Sequence, residues 1–149
     1  MFRKILVCLD GSSLAEQVLP YATEVAERFG SRIVLLQVVH LPASFAAAAA
    51  QGAEKILEEE TVRLASEATA YLEGVAAPLR AKGLEVETVT QEGPPTETIV
   101  AYARENAVDL IAVGTHGRKS LGRLVFGSVA DHVLKHSSVP VLTVKPQDK

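Results

Sequence analysis

Three short stretches limit the folds open to this chain more than any other feature: Ile5-Leu6-Val7-Cys8-Leu9, the middle of Arg32 to His40, and Leu110-Ile111-Ala112-Val113. Each is of strand length and apolar through its middle, with Gln37 the one polar residue inside the second. A strand without alternation is stable only where both of its faces are covered, as in a parallel sheet lying between helices. The segments between these runs have helical periodicity. Val18, Leu19, Ala22, Val25, Ala26 and Phe29 make one apolar stripe, and Ile56, Leu57, Leu64, Ala68, Tyr71, Leu72, Val75 and Leu79 make a second. Two further strands have a different character. Leu84 to Thr90 alternates apolar and polar residues, which predicts an edge strand with one wet face. Val139 to Val144 has Pro140 near its first position, and a proline there also suits an edge.

Local signals set the predicted boundaries. Ser13 with Glu16 three residues on fits a capping box, opening a helix that runs to about Phe29 and is closed by Gly30. Pro20 falls inside that helix and is expected to kink it. A long helix from about Glu54 to Lys82 stops at Gly83, and a shorter one runs from Thr96 to Asn106 after the turn Gly93-Pro94-Pro95. The last begins at Ser128 and reaches Lys135 or His136. Pro42 to Gly52 contains an alanine tract, Ala46 to Ala50, with no face to pack, and is read as a variable connection. Strand and helix thus alternate five times, which predicts an α/β fold with a mostly parallel sheet, helices on both faces and right-handed crossovers.

A length of 149 residues suits one domain, here the whole of residues 1–149. The formal net charge of -3 argues against nucleic acid as a partner, because such proteins carry a strongly basic face. No apolar run is long enough to span a membrane, and the start, Met1-Phe2-Arg3-Lys4-Ile5, enters a strand without the pattern of a signal peptide. A cytoplasmic protein is therefore expected. Cys8 is the sole cysteine, which excludes an internal disulfide and a cysteine metal site and leaves a small buried hydrophobe. Glu58-Glu59-Glu60 is read as a solvated helix face, and no metal-ligating set is predicted.

The chemistry concentrates after the fourth strand. Gly114 and Gly117 stand at its carboxyl end, where the absence of a Cβ permits φ > 0 and lets an anion approach the main chain. Gly127 and Ser128 open the next helix, whose unpaired amides and dipole favour negative charge. Arg118, Lys119 and Arg123 lie between them. Two other phosphate motifs fail on residue identity. Gly122 to Ser128 has the glycine spacing of a P-loop, but Ser128 stands where its lysine belongs. The first strand-to-helix turn, Asp10-Gly11-Ser12-Ser13, is not the Gly-x-Gly-x-x-Gly of a dinucleotide fold. Asp10 nonetheless lies at a strand's carboxyl end, where ligands of open α/β sheets bind; an Asx turn before Gly11 explains it equally well.

The spacing Gly114-x2-Gly117-x9-Gly127-Ser128 resembles the nucleotide-binding signature of the universal stress protein family, in its ATP-binding subgroup, and matches it without a gap. The resemblance covers the chain apart from Pro42 to Gly52. It implies a Rossmann-like sheet of the adenine nucleotide alpha hydrolase type with five parallel strands in the order 3-2-1-4-5, so that the strand order reverses between the first and fourth strands and sets Asp10 beside Gly114. It further implies ATP as ligand: the adenine against the main chain of Val38, the ribose near Asp10 and Gly114, and the phosphates against Gly117, Arg118, Gly127, Ser128 and Val129, with His116 flanking them. Mg²⁺ is then held through phosphate oxygens and water. The implied role is that of a small nucleotide-dependent stress-response regulator that dimerises with a second copy through Val139 to Val144. The alternatives are a slow Mg-dependent ATP hydrolase, for which no residue near the loop supplies a water-positioning group, and an interaction module that has lost its ligand.

Overall fold

The computed structural model describes residues 1–41, 43–115 and 128–145. Five strands, β1 (Lys4–Cys8), β2 (Arg32–Val39), β3 (Val86–Glu92), β4 (Leu110–Gly114) and β5 (Val141–Val144), form one sheet in the order β3-β2-β1-β4-β5. All four pairings are parallel. The helices are α1 (Leu19–Phe29), α2 (Ala43–Ala50), α3 (Glu54–Ala81), α4 (Pro95–Glu105) and α5 (Ser128–His136).

The apolar runs divide by parity, because successive side chains of a strand point to opposite faces. Ile5, Val7, Ile33, Leu35, Leu110 and Ala112 meet Val18, just ahead of α1, Ala22 of α1, and Leu72 and Ala76 of α3. Leu6, Cys8, Val34, Leu36, Ile111 and Val113 meet α4 and α5 through Ile99, Ala103, Ala130 and Val133. Both clusters are dry at the centre, with Ile5, Leu6, Ile33, Val34, Leu35 and Ile111 at 0% exposure. This explains why the central strands show no alternation. As predicted, β3 and β5 are the edges, and their side chains are less buried. Pro140 lies one residue before β5, yet its carbonyl accepts from the Ile111 amide (3.0 Å), so the ladder loses only the donor that proline lacks.

Three local expectations are corrected. The predicted helix from Ser13 is split into a 3-10 turn, Ala15–Val18, and α1, which starts at Leu19. Pro20 therefore lies in the first turn of α1, where its missing N–H has no helical acceptor to lose, and the break falls upstream of it instead of as a mid-helix kink. The capping box does not form. Ser12 Oγ accepts from the Ala15 amide (3.1 Å), while the Glu16 carboxylate accepts from Tyr71 Oη on α3 (2.6 Å). A tertiary partner outcompetes the local cap. Finally, residues 43–50 are helical and rest on α3, in line with alanine's intrinsic preference. Gly30 ends α1 in the left-handed conformation (φ 67°), as the sequence signal predicted.

Candidate functional site

At the carboxyl ends of β1 and β4, on either side of the reversal in strand order, the sheet opens into a cavity of about 210 Å³. Crevices form at such a point because the crossovers from adjacent strands leave on opposite faces. Asp10 and Gly114 stand at its mouth, Val38 at the end of β2, and Val129 in the first turn of α5. The inner wall is apolar: Cys8, Leu36, Val113, Ile99 and Ala130 converge from three strands and two helices. Asp10 is the only ionisable carboxylate among the described lining residues.

The turn that carries Asp10 is held from two directions. Asp10 Oδ1 accepts from the Ser12 amide (2.9 Å) and from Ser12 Oγ (2.6 Å), an Asx turn that passes through Gly11 at φ +88°. A side chain is strained at that φ, so glycine suits the position. From the opposite face of the sheet, Tyr71 bonds Glu16 in the 3-10 turn immediately downstream. Burial, reinforced by the Glu16 carboxylate, pushes the Tyr71 phenol above its usual range, and the bond therefore persists as a neutral phenol donating to a carboxylate. The far side of the crevice is fixed by Thr115, 2% exposed, whose amide (3.1 Å) and hydroxyl (3.2 Å) both donate to the Val144 carbonyl.

Gly114 serves a purpose other than the one first expected. It is a strand residue paired with Val144 and is not among the positive-φ glycines, so conformational freedom is not what it provides. A Cβ built there meets Ala15 O at 3.5 Å and Leu14 O at 3.6 Å, ordinary contacts that the fold accommodates. Its missing side chain instead lets the 3-10 turn lie close over the end of β4, where Ala15 joins Gly114 in lining the cavity. Cys8, 8% exposed, has its thiol pushed up to about 12 by burial, which keeps it protonated and makes it part of the apolar wall, in keeping with the sequence reading.

Of the residues singled out from the sequence, Asp10, Val38, Gly114 and Val129 surround this one cavity, and Ser128, exposed, opens α5 next to Val129. His116, Gly117, Arg118 and Gly127 lie outside the described residues. The sequence reading missed Leu36, Ile99 and Ala130. Each sits on a periodic apolar face and is indistinguishable there from ordinary core, and only Pro95, at the start of α4, had a local signal. Among the described residues no group of three or more His, Cys, Asp or Glu could hold a metal, and no helix is long and apolar enough to cross a membrane.

Fold and cavity together define a doubly wound α/β protein with a small-ligand crevice at its switch point. The chain belongs to the universal stress protein family, whose family model matches residues 1–145. It is 31% identical over 149 residues to the universal stress protein MJ0531 of Methanocaldococcus jannaschii, an alignment covering 100% of this chain and 85% of that protein. Its fold is similar to the solved structure of MJ0577, a universal stress protein of the same organism, with TM-score 0.85 and 30% identity over 100% of this chain and 99% of that one. It is also similar to the universal stress protein from Archaeoglobus fulgidus solved in complex with dAMP, with TM-score 0.60 and 25% identity over 97% of this chain and 100% of that one.

Proposed function

We propose that this chain binds ATP in the crevice between β1 and β4 and acts as a nucleotide-dependent stress-response regulator. The observation that carries the reading is the cavity itself. It is apolar where a purine ring must be desolvated, and its lining includes the Asp10 carboxylate, where a ribose needs an acceptor. The adenylate found with the Archaeoglobus fulgidus relative supports the same ligand class.

In this arrangement the ring lies against Leu36, Ile99 and the Val38 end of β2, and the ribose meets Asp10, whose carboxylate the Ser12 bonds keep oriented. The phosphates extend past Gly114 toward Ser128 and Val129 at the start of α5, where helix amides point at an anion. Gly117, Arg118 and Gly127 complete that end, with His116 beside them, and bound Mg²⁺ neutralises the phosphate oxygens. Binding rather than turnover is the reading favoured here. The one carboxylate of the described wall is committed to a turn, and hydrolysis requires a group free to position water. Two copies join through the β5 edge, Val141–Val144, which pairs with no second strand among the described residues and otherwise invites uncontrolled strand pairing.

The test is a titration of purified, nucleotide-stripped protein with ATP, ADP, AMP and cyclic AMP, combined with analysis of nucleotide released by heating the untreated preparation. The expected result is one ATP per chain with no phosphate release. Adenylate absent from the heated supernatant and silent in the titration would refute the assignment, and steady phosphate release would replace the regulator with a slow hydrolase. A monomeric mass at micromolar concentration would remove the proposed dimer.

A further inference from the structure

Away from the crevice, α5 presents a second group with defined chemistry. His132 and His136 stand one turn apart on the helix, with ring centroids 4.3 Å apart and planes tilted by 36°. Residues at this spacing share a face, and paired histidines on one helical face are a recurrent way of holding a transition ion. With metal–nitrogen bonds of about 2.0–2.1 Å, two imidazole nitrogens bridged by one ion stand at most ~4 Å apart, a separation these rings reach by rotation about χ2.

The setting supports an ion. Ala130 and Val133 are buried beneath the same helix at 1% and 0% exposure, so the two rings project from a fixed element. His132 is half-buried and His136 exposed, which leaves the pair open to solvent. Lys135, the nearest cation in sequence, is ion-paired with Asp131 at 3.1 Å.

We propose that His132 and His136 form a two-imidazole site for a divalent late transition ion such as Ni²⁺ or Zn²⁺, with water completing the coordination. Imidazole nitrogens favour these ions over Mg²⁺, a hard cation that takes oxygen ligands, so the site is independent of any ion carried by phosphates. Among the described residues no third ligand joins the two histidines in a set of three, so the affinity is that of an open site and below that of a closed four-ligand zinc centre. An ion here ties the last two turns of α5 together, and its binding free energy is added to that of the folded state.

The experiment uses the full chain stripped of nucleotide, titrated calorimetrically with NiCl₂ and ZnCl₂ and, separately, MgCl₂. Expected is one Ni²⁺ or Zn²⁺ per chain, no heat from Mg²⁺, and a Tm that climbs with the logarithm of Ni²⁺ concentration. His132→Ala and His136→Ala should each weaken Ni²⁺ binding by about tenfold or more, the scale on which even supporting residues of metal sites act. His40→Ala should change nothing, and circular dichroism of each variant reports whether α5 remains folded. Equal Ni²⁺ affinity in the wild type and the H132A/H136A double variant, or loss of binding in H40A instead, would overturn the proposal. So would a wild-type Tm indifferent to Ni²⁺.

Discussion

The Gly114→Leu protein should fold and fail to bind adenylate. At 3.5 Å from Ala15 O, a Cβ at this position makes an ordinary contact, so Gly114→Ala should leave thermal unfolding nearly unchanged. The outer carbons of leucine extend from that Cβ toward the backbone of the 3-10 turn at Leu14 and Ala15, on the sheet face that position 114 shares with Ala112. That direction is occupied by main chain, so the side chain pushes the turn aside, and Ala15 and the neighbouring Asp10 lose their places in the cavity wall. Overpacking elsewhere in the strand costs about 1–3 kcal/mol, which a domain of this size survives. Affinity should fall by at least about a hundredfold, a loss of about 2.8 kcal/mol, because the displaced turn carries Ala15 and the Asp10 carboxylate away from the ligand. Calorimetry with ATP and a melting curve on the same sample separate the two effects. Undiminished affinity in a folded Gly114→Leu protein would mean that adenylate, if bound, lies elsewhere. A protein that no longer melts cooperatively would mean that glycine at 114 is required by the fold.

Leu72→Ala should destabilise the fold by about 2–5 kcal/mol, the range found when a leucine is removed from a close-packed interior. Leu72 is at 0% exposure in the cluster formed by α1, α3 and the inner strands, alongside Leu35, Ala76 and Val18. Strands cannot close around the gap without breaking their ladder, and the neighbouring helix positions Ala68 and Ala76 are already small, so collapse is limited. The matched control is Val62→Ala on the same helix. Val62 is 67% exposed, and its truncation should remain within about 0.5 kcal/mol. Urea unfolding of both measures the difference directly. Because Tyr71 precedes Leu72 and bonds Glu16, Leu72→Ala should also loosen the turn that bears Asp10 and weaken adenylate binding. Similar midpoints for the two variants would show that α3 does not anchor the core as described.

Most of the fold was legible before any coordinates. The apolar runs of β1, β2 and β4 demanded coverage on both faces, the alternation of β3 and the proline ahead of β5 marked the edges, and Gly30 marked the end of α1. The strand order came from the family resemblance, because periodicity alone does not say which strands are neighbours. Errors clustered where a distant residue competes for a local group. Glu16 carries a sound capping-box signal, and the sequence offers no way to know that Tyr71, far along the chain, takes its carboxylate instead. Pro20 bends nothing because the helix begins just ahead of it, a choice made by the packing of the 3-10 turn over β4.

The site divides along the same line. Asp10, Val38, Gly114 and Val129 were identifiable by position at strand and helix ends or by the family signature, since those ends are where a parallel sheet must open. That Leu36, Ile99 and Ala130, members of the core, also wall a cavity was decided by the tertiary structure alone. An apolar side chain has the same periodicity whether its neighbour touches it or stops a few ångströms short. The difference between core and cavity is a gap left by elements distant in sequence, and no single segment records it.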